Sequence, residues 1–111
     1  MEAHKGLEKI VSENLSDPSF SSTQLGEKLF MGHSTLNRKM KALFDTTPND
    51  YIRSKRLAKA AEMLEKGSHR VNEVCYAVGF NSPSYFSKCF KKLYGVLPAE
   101  WSKKKDEKTA E

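Results

Sequence analysis

Apolar residues recur along this chain at intervals of three and four residues, which is the spacing of one face of an α-helix. Valine, isoleucine and threonine are sparse, and they never alternate with polar residues over the length of a strand. The first apolar stripe, formed by Leu7, Ile10 and Val11, predicts a helix over residues 4–15. The pattern as a whole predicts an all-α fold of about seven helices.

A short second helix is indicated by Ser21, which stands three residues before Gln24 in the spacing of a capping box. In such a box the two side chains satisfy main-chain N–H groups that have no partner inside the helix. The predicted helix runs to about Phe30, and it directs Leu25 and Leu29 inward.

The third predicted helix starts near Ser34 and carries its own apolar stripe. Leu36, Met40, Leu43 and Phe44 occupy positions i, i+4, i+7 and i+8 of this stripe. We therefore expect all four side chains to face the core.

The longest predicted helix covers residues 48–66, and at ~1.5 Å per residue it spans roughly 28 Å. Thr47 is suited to cap its N-terminus, with a proline in the first helical position, and Gly67 is suited to end it. Its apolar stripe consists of Leu57, Ala60, Ala61 and Leu64.

Three further elements are predicted after the long helix. A short helix is indicated by a stripe that ends before Gly79, and a longer helix is predicted over residues 83–94. Pro98 and Trp101 begin a last short turn or helix, and residues 103–111 have no apolar periodicity and read as a basic, polar tail. The stripe of the short helix consists of Val71, Val74, Cys75 and Val78. The stripe of the longer helix, which we also expect to face the core, consists of Phe86, Phe90, Leu93 and Tyr94.

The apolar pattern repeats itself within the chain. Residues 25–31 match residues 74–80 at an offset of 49, and residues 36–51 match residues 86–101 at an offset of 50. Each copy therefore consists of a short helix, a tight turn with one inserted residue in the second copy, and a longer helix. This is the layout of a helix-turn-helix, and the long central helix joins the two copies.

The outer faces of the longer helix in each copy contain no carboxylate, although the chain has 14 aspartates and glutamates and a net charge of +5. Such faces suit a surface that meets phosphate groups, and their short polar side chains suit base edges. On the first helix the outer residues are Ser34, Thr35, Asn37, Arg38 and Lys41. On the second helix they are Ser84, Tyr85, Ser87, Lys88, Lys91 and Lys92.

The segment GFNSPSYFSKCFKKLYGVLPAEW resembles the second helix-turn-helix signature of the AraC/XylS family of transcription regulators. TPNDYIRSKRLAKAAEML is similar to the linker helix of that family, and HSTLNRKMKALFDTTP is similar to its first recognition helix. The resemblance covers about residues 5–102 and implies a DNA-binding domain over residues 1–102. Its parts are a first helix-turn-helix subdomain (4–47), the linker helix (48–66) and a second subdomain (67–102), followed by the tail (103–111).

The resemblance implies that two recognition helices enter successive major grooves on one face of a DNA duplex. The predicted linker of ~28 Å, together with the offsets of the helices, approaches the ~34 Å of one duplex turn. By motif position, base contacts are implied for Ser34, Asn37, Arg38, Pro83, Ser84, Tyr85 and Lys88. Phosphate contacts are implied for Thr35, Lys41, Ser82, Ser87, Lys91 and Lys92.

Three residues depart from the family pattern. Pro83 has no N–H donor, and Lys88 stands where an arginine is common, which weakens the case for a bidentate contact to guanine. We therefore expect the second recognition helix to discriminate less strongly between bases than the first. Phe30 stands where a small residue or glycine is usual, and we expect a more tightly packed first turn.

The sequences of these motifs are also similar to those of the output domains of hybrid two-component sensors and AraC-type response regulators. We therefore expect an excised output domain whose sensor or receiver part is missing, with RNA polymerase as a partner that the family implies. The sequence contains no obvious dimerisation element and no apolar run that could cross a bilayer. The expectation is a cytoplasmic domain that is monomeric in isolation and makes no membrane contact.

Nothing in the sequence indicates an enzyme, a metal site or a cofactor. There is no glycine-rich phosphate loop and no motif of a catalytic triad, and the two cysteines, Cys75 and Cys89, form no CxxC pair. Both are interpreted as small apolar residues in a reducing compartment. One alternative function stays open, a helical protein-interaction module whose basic faces bind an acidic protein.

Other polar and aromatic residues have structural interpretations. Arg53 and Arg56 on the linker helix are expected to be solvated or paired with carboxylates such as Asp50 or Glu62, and phosphate or partner-domain contact is the alternative. Trp101 is expected to fill the core at the C-terminal end. For Tyr85, packing against its own helix is the alternative to contact with DNA.

Overall fold

The computed structural model describes residues 2–67 and 70–102, and in this part of the chain all regular structure is helical. The all-α prediction is therefore confirmed. The helices are α1 (Glu2–Asn14), α2 (Ser22–Leu29), α3 (His33–Phe44), α4 (Pro48–Lys66), α5 (Val71–Ala77) and α6 (Pro83–Tyr94). A further helix, α7, begins at Pro98 and is described through residue 102. The predicted tail, 103–111, lies outside the described residues.

Local sequence signals explain where the helices begin and end. The main-chain N–H of Ser21 donates to the side-chain oxygen of Gln24 at 3.0 Å, which confirms the capping box before α2. The hydroxyl of Thr47 accepts from the N–H of Asp50 at 3.2 Å at the start of α4. Gly67 ends α4 in the left-handed conformation, with φ +70°. The bounds predicted for α4 and α6 are confirmed, whereas α1 begins two residues earlier than predicted and ends one residue earlier.

The buried apolar side chains form two separate clusters, and α4 contributes residues to both. The first cluster contains Leu7, Val11, Phe20, Leu25, Leu36, Met40, Tyr51 and Ile52. The second contains Leu57, Ala60, Ala61, Leu64, Val74, Cys75, Val78, Phe80, Phe86 and Phe90. The molecule is accordingly elongated, with extents of 47 × 26 × 21 Å. Two helix-turn-helix units share one long helix, as the repeat predicts.

The repeat extends to the aromatic packing at the end of each unit. The rings of Phe44 and Tyr51 lie 4.7 Å apart between centroids, and those of Tyr94 and Trp101, 50 residues further on, lie 4.9 Å apart. The indole N–H of Trp101 donates to the carbonyl oxygen of Ala61 at 3.3 Å. Trp101 therefore holds α7 against α4. This confirms the prediction that Trp101 packs in the core at the C-terminal end.

Leu43 and Leu93 are more exposed than their place in the apolar stripes predicts. Their side chains are 48% and 51% exposed, so the expectation that they face the core is wrong. Seven residues turn a helix by about 700°, which leaves Leu43 about 20° behind Leu36, whereas Met40 lies about 40° ahead of it. The core face is centred on the Met40 side, and each leucine stands at the far edge of its stripe, in the last turn of its helix.

The first turn is not more tightly packed, because the side chain of Phe30 is 97% exposed. Phe30 ends α2 in the left-handed conformation, with φ +56°. This backbone conformation turns its side chain away from the first cluster. The expectation of a tighter turn is therefore wrong.

Candidate nucleic-acid interface

The outer face of α3 presents a row of polar and basic side chains. Ser34, Arg38 and Lys41 are exposed, and Thr35 and Asn37 are partly buried. The side-chain amide of Asn37 donates to the carbonyl oxygen of His33 at 2.8 Å, so it is held against the first turn of its own helix. Arg38 projects without such a restraint from the middle of the helix.

Lys41 forms an ion pair with an acidic side chain among the described residues. Its Nζ lies 2.9 Å from Oδ1 of Asp45, one turn further along, and both side chains are largely exposed. Exposed pairs of this kind contribute little to stability and exchange readily for other partners. The ammonium group of Lys41 is therefore available to a phosphate oxygen.

The second face begins at the N-terminus of α6. The hydroxyl of Ser82 accepts from the N–H of Tyr85 at 3.3 Å, and Pro83 occupies the first helical position, where no N–H is needed. Ser84, Tyr85, Lys88, Lys91 and Lys92 are exposed, and Ser82, Pro83 and Ser87 are partly buried. Each of the thirteen predicted contact residues thus has at least part of its side chain at the surface of α3 or α6.

Tyr85 is tied to the linker helix. Its hydroxyl accepts a hydrogen bond from Nη1 of Arg53 at 3.0 Å, and its ring centroid lies 6.0 Å from that of Phe80. Arg53 also forms an ion pair with Asp50, as the sequence predicted. The link between Arg53 and Tyr85 was not predicted, because the two residues are 32 positions apart and no local pattern connects them.

A groove of about 840 Å³ lies between α4 and α6 and reaches the end of α3. Its lining includes four basic side chains and one carboxylate, so its charge is positive. The charged residues that line it are Arg53, Lys55, Lys88, Lys92 and Asp50. This groove extends the basic surface of α6 toward the first unit, which increases the attraction of the whole side for a polyanion.

Arg56 makes contacts that sequence reasoning missed. It was expected to be solvated or paired with a carboxylate, and that expectation is wrong. Its Nε donates to the carbonyl oxygen of Leu15 at 3.1 Å, and its Nη2 donates to those of Asp17 at 2.7 Å and Phe20 at 3.1 Å. These carbonyls follow α1 or lie in the loop after it, where no helical N–H can reach them.

The surroundings of Arg56 affect two ionisable groups. Burial lowers the pKa of Arg56, and the nearby charge of Asp17 acts in the opposite direction. Hydrogen bonds from the side chain and main chain of Ser19 lower the pKa of Asp17, and the charge of Arg56 lowers it further. The lowered pKa keeps Asp17 ionised near neutral pH.

Metal ligands and thiols are the other candidate chemical groups in the described part of the chain. No group of three or more histidine, cysteine or carboxylate side chains there is arranged to hold a metal ion. Cys75 and Cys89 are both free thiols, and burial raises the pKa of Cys75, which makes it a weak nucleophile. Among the described helices, none combines the length and apolar content needed to cross a membrane.

Comparison with known proteins identifies the type of domain. A family model described as a helix-turn-helix domain matches residues 25–104, which is more than half of the chain. Among solved structures, the C-terminal domain of the two-component response regulator yesN from Fusobacterium nucleatum is similar, with a TM-score of 0.86 and 29% identity. The similarity covers 92% of this chain and 99% of that domain.

Two curated relatives place the similarity in longer proteins. Histidine kinase P4 from Formosa agariphila is 36% identical over 99 residues, which is 89% of this chain and 7% of the kinase. The HTH-type transcriptional activator RhaS from Mannheimia succiniciproducens is 35% identical over 88 residues, which is 79% of this chain and 33% of the activator. The chain thus spans a third or less of the length of these two relatives.

Proposed function

The chain belongs to the AraC-type helix-turn-helix family of DNA-binding transcription regulators, and from that premise we propose that α3 and α6 read two successive major grooves on one face of a DNA duplex. Proteins of this family act by binding DNA and are not enzymes.

One observation carries the proposal: the two helices with carboxylate-free sequences occupy equivalent places in the two units and leave equivalent faces exposed. The helices are connected by α4, whose 19 residues span roughly 28 Å. This length, with the offset of each helix from the axis of α4, is compatible with the ~34 Å between successive major grooves.

We assign base contacts to residues in the first two turns of each helix. Arg38 is the strongest candidate, because an exposed guanidinium can make two parallel hydrogen bonds to guanine. The assigned base-contacting residues are Ser34, Asn37, Arg38, Pro83, Ser84, Tyr85 and Lys88. The assigned phosphate-contacting residues are Thr35, Lys41, Ser82, Ser87, Lys91 and Lys92.

The second helix is assigned the weaker part in base recognition. Pro83 offers only methylene groups, and Lys88 offers a single ammonium in place of a planar fork. The hydroxyl of Tyr85 is already engaged by Arg53 in the DNA-free domain. Tyr85 therefore contacts DNA through the exposed edge of its ring, or its hydroxyl gives up the hydrogen bond from Arg53 and bonds to a base instead.

In the full-length protein, we propose that this domain is the output module of a two-component signalling protein. Support comes from its similarity to a segment of a histidine kinase and to the C-terminal domain of a response regulator. On this proposal the domain acts in the cytoplasm, contacts RNA polymerase, and is monomeric when separated from its sensor or receiver part.

The decisive experiment is a selection of bound sites from random duplex DNA by the 111-residue chain, followed by titration at several salt concentrations. We expect two short conserved blocks whose centres lie one duplex turn apart, and an affinity that falls steeply with salt. A chain that binds no duplex, or binds without salt dependence, would overturn the proposal. Displacement of an acidic protein by such DNA would show whether the same faces also serve the alternative function.

A further inference from the structure

The junction between the two units is polar. Along α4 the first apolar cluster ends at Ile52 and the second begins at Leu57. The four residues between them, 53–56, are arginine, serine, lysine and arginine. Shared apolar packing therefore does not fix how one unit is turned relative to the other at this point of the linker helix.

Arg56 crosses the junction from the second unit into the first. It immediately precedes Leu57 of the second cluster, yet its guanidinium is held by carbonyls at the end of α1 and in the loop after it. Three hydrogen bonds from two nitrogens restrict the side chain in distance and in direction. The first unit is thus anchored to a defined position on α4.

Gly79, in the turn between α5 and α6, packs against the carbonyl of Leu15 and the guanidinium of Arg56. A Cβ atom added to Gly79 would stand 2.1 Å from the carbonyl oxygen of Leu15 and 2.7 Å from Nε of Arg56. The main chain of the second unit therefore touches the first unit directly, with the guanidinium of Arg56 packed against both. Gly79 stands four residues before Pro83, where α6 begins, so this contact sits next to a recognition helix.

From this arrangement we propose that Arg56, with Gly79 packed against it, sets the angle between the two recognition helices and so the spacing of the DNA half-sites that the domain accepts. The inference rests on the proposed function of α3 and α6 as two helices that recognise bases in successive major grooves. Without the guanidinium, α4 and the contact of Gly79 with the carbonyl of Leu15 would still connect the units, but bending of α4 would allow a wider range of angles. Arg56 acts here as a positioning residue, since its donors face carbonyl groups of the protein.

A test follows from inserting one base pair between the half-sites of the selected DNA. The insertion moves the second half-site by ~3.4 Å and rotates it by ~34° about the duplex axis. We expect the unchanged chain to lose about tenfold or more in affinity, as when the contacts of one helix are lost. For Arg56→Ala we expect a loss of about threefold or less, because the freed units follow the displaced site.

The salt dependence of binding and a control variant distinguish a positioning role of Arg56 from a direct contact with phosphate. The slope of affinity against salt should be the same in Arg56→Ala and the parent, since a guanidinium bound to carbonyls releases no counterion. A slope reduced by about one unit would instead identify Arg56 as a phosphate contact and overturn the inference. Lys59→Ala, an exposed residue on the same helix, should keep the spacing preference of the parent and serves as the control.

Arg56→Lys keeps the charge but can reach fewer of the three carbonyls, so we expect spacing tolerance between those of the parent and Arg56→Ala. This variant decides the question if Arg56→Ala does not fold. An unchanged spacing preference in the folded Arg56 variants would overturn the inference and leave the proposed function intact. Failure of the parent chain to bind any duplex would instead overturn the proposed function.

Discussion

The turns of the two helix-turn-helix units share one main-chain hydrogen bond and one left-handed residue, but they differ in burial. In the first, the N–H of Met31 donates to the carbonyl of Gly26 at 2.9 Å, and in the second, the N–H of Phe80 donates to that of Cys75 at 3.0 Å. The residue before each donor is left-handed, Phe30 with φ +56° and Gly79 with φ +96°. Yet Phe30 is 97% exposed, whereas Gly79 is buried.

The difference arises from what covers each turn and not from the turn itself. The second turn lies under Arg56 and the carbonyl of Leu15, so there is no room for a side chain. The first turn has open space where the side chain of Phe30 projects. A position in a repeat thus tolerates a bulky residue in one copy and excludes a methyl group in the other, because only one copy borders the junction.

Gly79→Ala tests this comparison with the largest expected effect. The added methyl group meets a carbonyl oxygen in a backbone conformation that L-residues rarely adopt, so we expect a loss of about 2–4 kcal/mol in the free energy of unfolding. Phe30→Gly, at the equivalent position, should change it by less than about 1 kcal/mol. Urea unfolding monitored by circular dichroism measures both, and equal losses would contradict the comparison.

The two recognition helices are compared by Arg38→Ala and Lys88→Ala, which remove equivalent basic side chains. We expect Arg38→Ala to cost about 1–3 kcal/mol in binding and to relax the sequence preference at one half-site. Lys88→Ala should cost less, since an ammonium makes no bidentate contact. Binding to the selected site and to its single-base variants measures both effects. An equal or larger loss of preference with Lys88→Ala would reverse the assignment of α3 as the more exacting helix.

Lys91→Ala probes the part of the α6 face assigned to phosphate. The substitution should weaken binding by a similar factor for every DNA sequence and reduce the slope against salt by about one unit. Titrations of specific and unrelated duplexes over a range of salt concentrations provide the measurement. A change in sequence preference would indicate that Lys91 touches a base.

Tyr51 and Trp101 occupy equivalent positions in the two units. The indole N–H of Trp101 donates a hydrogen bond, whereas the Tyr51 hydroxyl is buried without a partner among the described residues. We therefore expect Tyr51→Phe to leave the free energy of unfolding within about 1 kcal/mol of the parent. Trp101→Phe should lower it by at least about 1 kcal/mol, through loss of the hydrogen bond and of part of the ring packing against Tyr94. Thermal unfolding at neutral pH compares the two, and a larger loss for Tyr51→Phe would reveal a partner for its hydroxyl.

The same tyrosine predicts a dependence on alkaline pH. Burial raises the pKa of Tyr51, and the charge of Glu8 raises it further. The unfolded state therefore loses this proton first, so stability is full below the ordinary tyrosine pKa of about 10 and falls as the pH rises through and above it. Tyr51→Phe should lack this part of the alkaline loss, while Tyr94, whose pKa burial also raises, should continue to contribute.

Most of the helices were predictable because their signals are local. Apolar periodicity, the cap at Thr47 and the glycine at position 67 each act over a few residues, and the structure confirms the bounds of α4 that they predict. The assignment of contact residues to the outer faces of α3 and α6 rests on the same periodicity. It remains a prediction as far as DNA is concerned, because the identity of a contacted base depends on the partner.

The contacts across the junction were not predictable in the same way. Arg56 looked like a solvated residue because its three acceptors are main-chain carbonyls, which leave no mark in the sequence. The hydrogen bond from Arg53 to Tyr85 joins residues 32 positions apart. The exposure of Leu43 and Leu93 depended on the exact centre of each core face, which a stripe of apolar residues locates only to within one side chain.

The sequence by itself determined the two helix-turn-helix units, the long helix between them and the basic character of their outer faces, because periodicity, capping and charge act locally along the chain. Only the tertiary structure decided how the units are joined. It placed Arg56 against the carbonyls that follow α1 and Gly79 against Arg56. Such contacts depend on folding in three dimensions, which brings residues some 40 and 60 positions apart to one point.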